Sequence, residues 1–500
     1  MVFSSYLFIL VFLPVVLIGY ATVLRCAGMR YAIGWLVGCS LVYYGSWNPP
    51  YLLLLGGSVV GNYFFGLALS RRVQRPGGKA ILALGVAANL ALLGYFKYAG
   101  FLTDAVAALF GQAWDAGRIL LPLAISFFTF QQIAYLVDVY RGETREHRFL
   151  DYCLFVTFFP QLIAGPIVHH REMLPQFHAR GFRGRAMGLH PRNLSVGLVM
   201  FVFGLAKKVL IADEMADDAD RLFAAAAAGQ TPGAMWAWYG SVCYAMQIYF
   251  DFSGYSDMAI GVARMFGIRL PVNFNSPYKA TGAIEFWRRW HITLSRFLRD
   301  YLYIPLGGNR RGKARRHLNL MIVMLLGGLW HGAGWTFVAW GGLHGLYLII
   351  NHAWRAARAR RRGGEPTPTP LGVALSTAIT FVGVVIAWVL FRAESFDAAQ
   401  RILMGMFGVA GELPLPRSAD AGALVALGVV LCVAFFVPNS QELLRAYRPV
   451  LGKRPVYTGP RWMAWMGWKP DLPGAIIVAL LAVYCLVQIA RGSPFIYYQF

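Results

Sequence analysis

Apolar runs long enough to cross a lipid bilayer recur along almost the whole chain, and they constrain its fold more than any other feature. Residues 2–24, 31–47, 51–69 and 80–96 form the first four runs. A helix needs about 20 apolar residues to span the hydrocarbon core. Charged residues make up only 14% of the chain, whereas soluble domains contain about 25%. The sequence therefore predicts an all-α polytopic membrane protein, with residues 1–500 forming one integral-membrane domain.

Basic residues lie mainly in short segments between the apolar runs. The chain carries 46 Lys and Arg against 23 Asp and Glu. Arg71, Arg72, Arg75 and Lys79 fall in one loop without an acidic residue, and such loops face the cytoplasm. Since an odd number of spans precedes this loop, we expect the N-terminus on the outer side. The distribution indicates orientation and contact with membrane lipids, and it argues against binding of nucleic acid.

Polar residues interrupt the later apolar runs at membrane depth. Asp251, Ser253, Tyr255 and Asp257 lie within the run 234–266. An unpaired charge facing lipid costs several kcal/mol, so we expect these side chains to pair with one another or to line an interior cavity. The other later runs cover residues 120–140, 150–168, 194–212, 318–330, 335–351, 374–391, 422–437 and 474–490. In total we expect about eleven or twelve spans, some of them short or re-entrant.

The segment 282–303 combines aromatic and basic residues at helical spacing. On a helix, Trp287, His291 and Leu294 share one face, and arginines gather on the other. We predict one amphipathic helix that lies at the membrane interface or enters a funnel. The basic run 355–362 is predicted to be a cytoplasmic loop.

His331 is the first candidate functional residue. It lies in the stretch 326–335, Leu-Gly-Gly-Leu-Trp-His-Gly-Ala-Gly-Trp, where four glycines surround a single imidazole. Irregular backbone at membrane depth is tolerated only where it is buried in protein or lines a cavity. A histidine in such a place can take a proton from a hydroxyl group. The alternative is a core histidine that is hydrogen-bonded between helices.

The other histidines have simple structural explanations as well. His291 alone could be an interfacial residue packed on Trp287, and His344 could be a helix contact or line the same cavity as His331. His169 and His170 are adjacent, so they cannot both face one point. We find no further ligands at suitable spacing and expect no metal site. Nor does the sequence contain a phosphate-binding Walker motif.

Nine short stretches, spread along nearly the whole chain, have a recognisable pattern. They are residues 1–5 (MVFSS), 122–131 (PLAISFFTFQ), 158–167 (FFPQLIAGPI), 251–257 (DFSGYSD), 273–278 (NFNSPY), 286–295 (FWRRWHITLS), 303–308 (YIPLGG), 329–332 (LWHG) and 391–394 (FRAE). Together they resemble the membrane-bound O-acyltransferase (MBOAT) family, of the bacterial alginate O-acetyltransferase type.

The resemblance implies a fold and a site. The fold would be a ring of helices around a central funnel, in a multi-pass protein of the bacterial inner membrane. The catalytic histidines of the family fall on His331 and His291. His331 would be a general base or a transient acetyl carrier, and His291 would polarise a carbonyl or position a thioester. Arg288, Arg289, Arg296 and Trp330 are candidates for contact with the donor. The alternative for the three arginines is contact with lipid headgroups or a role in orientation.

The resemblance also implies an activity. An acetyl group would pass from a cytoplasmic donor, acetyl-CoA, to an extracytoplasmic polysaccharide such as an alginate-like exopolysaccharide, through a partner acetyltransferase of the SGNH type. No permanently bound cofactor is expected. The alternatives are a transporter or flippase that moves an acyl or lipid-linked cargo without chemistry, or a scaffold for an extracytoplasmic partner. A transporter should contain internal repeats with paired broken helices, and we find none in the sequence.

Overall fold

The computed structural model describes residues 1–111, 119–144, 148–178, 189–362, 369–411, 413–416, 418–452, 455–457, 459 and 461–489. Over these residues the chain is built from helices. The β-structure within the same residues consists of two isolated bridges, Pro232 with Leu413 and Pro271 with Leu451.

The α-helices follow one another with short connections. The first eleven are α1 (Leu13–Cys26), α2 (Met29–Gly45), α3 (Tyr51–Ser70), α4 (Gly78–Leu93), α5 (Ala99–Phe110), α6 (Ile125–Arg141), α7 (Phe149–Thr157), α8 (Phe159–Leu162), α9 (His170–His178), α10 (Pro191–Lys207) and α11 (Asp213–Ala227). The next are α12 (Ala234–Met265), α13 (Ala283–Arg289), α14 (Ile292–Leu298), α15 (Gly312–His331), α16 (Trp335–Arg362), α17 (Pro370–Arg392), α18 (Phe396–Met406), α19 (Ala421–Phe436), α20 (Ser440–Leu443) and α21 (Leu472–Gln488). Shorter π-helical turns cover Leu7–Phe12, Gly94–Tyr98, Lys208–Ala212 and Arg299–Tyr303, and 3₁₀ turns cover Pro277–Lys279, Arg445–Tyr447 and Arg461–Met463.

Several of these helices have the length and composition of membrane spans. Within the described ranges, five helical stretches qualify: Leu7–Cys26, Tyr51–Ser70, Gly78–Phe110, Pro191–Ala227 and Pro370–Arg392. The shorter helices α19 and α21 are also apolar. The predicted all-α, multi-pass membrane fold is thereby confirmed. The total of eleven or twelve spans and the ring around a funnel stay predictions.

Helices α10 and α12 pack in close backbone contact. A Cβ atom at Gly204 would lie 2.5 Å from the carbonyl oxygen of Gly254, and one at Gly197 would lie 2.6 Å from that of Gly261. Both pairs are seven residues apart on each helix, so they recur on the same face every two turns. Glycine at these four positions therefore lets the two helices approach, as small residues do in membrane bundles.

The two aspartates of α12 are buried, but they pair with lysines at and just after the end of α10 and not, as expected from the sequence, with each other. Lys207 Nζ lies 2.6 Å from Asp257 Oδ2, and Lys208 Nζ lies 2.9 Å from Asp251 Oδ1 and 2.7 Å from Asp213 Oδ1. All these side chains are largely buried. The ion pairs explain how two lysines and three aspartates are accommodated inside an apolar fold.

The prediction of one amphipathic helix over 282–303 is wrong. Helix α13 ends at Arg289, and His291 adopts a left-handed conformation with φ 40° and ψ 53° before α14 begins. The irregular segment 273–275 supplies hydrogen bonds on both sides of the break. Asn275 N–H donates to the Arg289 carbonyl (2.9 Å), and Ile292 N–H donates to the Asn273 carbonyl (2.9 Å). Trp287 and His291 are therefore on two separate helical segments and not on one face of a continuous helix.

The basic run 355–362 is also different from the prediction. It is not a loop but the last turns of α16, which continues to Arg362. The run consists only of alanine and arginine, and both residues favour helix.

Candidate active site

His331 is the last residue of α15, and the glycines around it allow a tight hairpin with α16. A Cβ atom at Gly328 would overlap the Phe337 carbonyl, and one at Gly332 would overlap the Phe337 ring. A Cβ atom at Gly341 of α16 would likewise overlap the Met324 carbonyl. The glycine-rich stretch thus brings the end of α15 against the beginning of α16, with His331 at the junction.

The imidazole of His331 is enclosed by aromatic rings. The side chain is buried, and the rings of Trp330, Trp340 and Phe391 lie 5.0–5.2 Å from it between centroids. The His291 ring lies 6.4 Å away. The two histidines that are forty residues apart in sequence are therefore neighbours in a largely apolar environment.

His291 is fixed by the side chain of Asn273. Asn273 Oδ1 accepts hydrogen bonds from the Thr293 hydroxyl (2.8 Å) and from the Thr293 backbone N–H (3.4 Å). A backbone N–H can only donate, so the atom facing it is the amide oxygen. His291 Nδ1, 3.0 Å from the same oxygen, must then carry the proton. In a neutral imidazole this leaves Nε2 as the acceptor, and Nε2 has no protein partner among the described residues.

A small pocket lies against His331. Its volume is about 100 Å³, and its polar lining includes Lys97, Ser126 and His331, with Trp330 and Trp47 among the apolar residues. The main-chain segment 121–127, which leads into α6, forms another wall. The pocket is large enough for a small group and is bounded mostly by apolar side chains.

A second, larger pocket of about 670 Å³ is strongly basic. Arg288 and Arg289 of α13 line it together with Arg355 and Arg358 of α16, and Glu285 is its acidic residue. Arg289 donates to Glu285 Oε1 at 2.7–2.9 Å, whereas Arg288 forms no ion pair within the described part of the chain. Four guanidinium groups around one cavity favour a ligand that carries phosphates or other anions.

The structure separates the four residues that were expected to contact a donor. Arg288 and Arg289 line the basic pocket, but Arg296 is bound to Glu172 at 2.5 Å outside it. Trp330 lines the small pocket, with its ring stacked on Phe130.

The remaining histidines make structural contacts. His344 Nδ1 accepts from Trp287 Nε1–H at 3.3 Å. His169 Nδ1 is bonded to the Tyr301 hydroxyl (3.0 Å), and His170 Nδ1 to the Thr144 hydroxyl (2.6 Å). In the ranges described above, no group of three His, Cys, Asp or Glu side chains is arranged to hold a metal ion.

Three features of the site are not evident in the sequence. Asn273 and Lys97 touch the segments that carry the histidines, and Arg355 and Arg358 complete the basic pocket. Lys97 gives one weak signal, since it is a lone cation directly after the apolar run 80–96. The sequence gives no signal that Asn273 is the hydrogen-bond partner of His291.

Chemically, the site offers one imidazole, that of His331, at a small and mostly apolar cavity, with the His291 ring 6.4 Å behind it. An apolar lining limits contact with water, which would protect a reactive acyl group from hydrolysis. Imidazole can accept a proton or act as a nucleophile near neutral pH. The arrangement suits transfer of a small acyl group.

Comparison with known proteins defines the class. Residues 144–374 match the model of the MBOAT, membrane-bound O-acyltransferase, family. The chain is 40% identical over 513 residues to the probable alginate O-acetylase AlgI of Pseudomonas putida, and the alignment covers 100% of both chains. The chain belongs to the membrane-bound O-acyltransferase family and is an acyltransferase.

Two other relatives differ in their acceptors. The peptidoglycan O-acetyltransferase of Helicobacter pylori is 45% identical over 437 residues, which is 82% of this chain and 80% of that protein. The teichoic acid D-alanyltransferase of Streptococcus thermophilus is 28% identical over 290 residues, which is 54% of this chain and 68% of that protein.

Proposed function

We propose that this acyltransferase takes an acetyl group from cytoplasmic acetyl-CoA and passes it across the bacterial inner membrane for O-acetylation of an extracytoplasmic polysaccharide. The transfer to the polysaccharide goes through a partner acetyltransferase of the SGNH type. The relatives named for acetylation of alginate and peptidoglycan support a polysaccharide acceptor. The observation that carries the proposal is the pair of buried histidines, whose rings lie 6.4 Å apart, with His331 lining a small cavity.

In the proposed reaction, His331 removes the proton from an acceptor hydroxyl while that oxygen attacks the thioester carbonyl. The carbon–sulfur bond breaks, and the CoA thiolate leaves and takes up the proton. His291 polarises the carbonyl or positions the thioester. Alternatively, a ring nitrogen of His331 attacks the thioester carbonyl, the carbon–sulfur bond breaks, and CoA leaves as the thiol with the proton of the imidazole. The hydroxyl oxygen then takes the acetyl group, the bond between nitrogen and acetyl breaks, and the hydroxyl proton returns to the imidazole.

The experiment is turnover of [¹⁴C]acetyl-CoA by the purified full-length protein in nanodiscs, measured as labelled acetate and acetyl ester. Proton transfer contributes on the order of 10²–10⁴-fold to rate, so His331→Ala should lose at least about a hundredfold. The matched control is His170→Gln, because His170 is equally buried but bonded to Thr144. Wild-type turnover by His331→Ala would refute the assignment.

The donor is proposed to place its phosphates in the basic pocket. Trp340, which touches His331, and Asn351, which lines that pocket, lie on the same helix α16. Eleven residues of helix correspond to about 16 Å. CoA carries its phosphates and its thioester at opposite ends of a long flexible arm, so both ends can be bound at once.

A truncated donor tests this placement. We expect Arg288→Gln to raise the KM for acetyl-CoA about tenfold, the worth of one charged hydrogen bond, with little change in kcat. Acetyl-pantetheine lacks the phosphates, so its KM should be the same for Arg288→Gln and the wild type. An equal effect on both donors would contradict a phosphate contact. Arg296→Gln is the control arginine, since it is bound to Glu172 outside the pocket.

A further inference from the structure

Lys97 is a cation beside His331 that the proposed reaction does not use. Its Nζ donates to the carbonyl oxygens of Trp330 (2.6 Å) and His331 (3.1 Å), and it lies 3.5 Å from Ser126 Oγ. Within the described part of the chain, no ion pair joins Lys97 to a carboxylate. Its charge is therefore directed at the end of helix α15.

The carbonyls at the C-terminal end of α15 need hydrogen-bond donors from elsewhere in the fold. The last four carbonyls of an α-helix have no partner within the helix, and at membrane depth water is not available to satisfy them. Tyr98 OH donates to the Leu329 carbonyl at 2.9 Å, one residue before the two that Lys97 caps. The negative end of the helix dipole also favours a cation at this position.

The backbone after His331 is rich in glycine, the residue with the greatest conformational freedom. Gly332 and Gly334 flank the turn to α16, and Gly332 is extended with φ −155°. Lys97 itself lies in the π-helical turn Gly94–Tyr98, a geometry that often marks functional positions. An independent observation connects it to the site: Lys97 and His331 line the same pocket of about 100 Å³.

We propose that Lys97 is a positioning residue for His331. Its ammonium group holds the carbonyls of Trp330 and His331 and so fixes the orientation of the imidazole at the pocket. This inference rests on the proposed function of His331, but the position of the backbone can be tested without turnover.

The experiment compares Lys97→Met, Lys97→Arg and Tyr98→Phe in the full-length protein in nanodiscs. Met keeps the length of the side chain without its charge, Arg keeps the charge, and Tyr98→Phe removes a neutral capping bond. The first readout is kcat and KM for [¹⁴C]acetyl-CoA. The second is hydrogen–deuterium exchange of the peptide covering residues 329–335.

For Lys97→Met we expect kcat to fall about tenfold with KM unchanged, and exchange to become about tenfold faster, as for loss of a charged hydrogen bond. Lys97→Arg should recover most of both losses, and Tyr98→Phe, which removes one neutral hydrogen bond of about 1 kcal/mol, should change each by about fivefold or less. Unchanged exchange in Lys97→Met would overturn the proposal, as would a higher KM with normal kcat. If the wild type does not turn over acetyl-CoA, the proposed function fails, and exchange alone decides the role of Lys97.

Discussion

The hydrogen bond between Asn273 and His291 gives a prediction that can be worked through from the structure. In Asn273→Ala, the His291 Nδ1–H and the Thr293 hydroxyl both lose the oxygen that accepts from them at 3.0 and 2.8 Å. The His291 bond is worth about 1–1.5 kcal/mol. Its loss removes the preference for the tautomer with Nε2 unprotonated. We therefore expect kcat/KM for acetyl-CoA to fall about tenfold, since 1.4 kcal/mol is a factor of ten.

A double-mutant cycle separates this effect from general destabilisation. If Asn273 acts through His291, Asn273→Ala should cost activity in the wild type and almost none in His291→Ala. Ser256→Ala is the control. It removes the hydrogen bond at the other end of the same amide, 3.2 Å from Asn273 Nδ2, and leaves Oδ1 on His291. Activity losses that simply multiply in the double variant would refute the argument.

Two further predictions concern stability. Gly204→Val should lower the unfolding free energy by about 1–3 kcal/mol through overpacking, because its Cβ would lie 2.5 Å from the Gly254 carbonyl; an unchanged thermal unfolding midpoint would contradict the close contact. Asp257→Leu should lower the unfolding free energy by up to about 3 kcal/mol, because it leaves Lys207 without its ion-pair partner at membrane depth. The double variant Asp257→Leu with Lys207→Met should lose less unfolding free energy than the sum of the losses in the two single variants. A loss equal to that sum would show that the two residues are not coupled.

Properties set by local composition could be predicted from the sequence. Apolar runs identify the spans because a helix satisfies its own backbone in lipid. The cost of a lone charge in lipid predicted that the acids of 234–266 would not face lipid, and they are buried, but their partners Lys207 and Lys208 come from another segment and were not predicted. The glycines around His331 indicated a close approach of backbones or a break in the helix, and both occur: α15 ends at His331, and its Gly328 packs against α16.

Properties set by contacts between distant segments could not be predicted from the sequence. The helix break at His291 has no local signal, since its left-handed residue is not a glycine and its hydrogen bonds come from 273–275. Lys97 reaches carbonyls more than 230 positions away. The basic pocket forms because α16 continues through residues 355–358. The charge of these residues alone had indicated a loop.

Movement of the acetyl group across a membrane tests the central claim most directly. The full-length protein is reconstituted in sealed proteoliposomes, and acetyl-CoA labelled in both the acetyl group and the adenine is supplied on one side only. We predict that acetyl label, as acetate or ester, collects on the opposite side while the adenine label stays behind, and that His331→Ala abolishes this. Both labels crossing together, or label crossing equally in His331→Ala, would contradict the account.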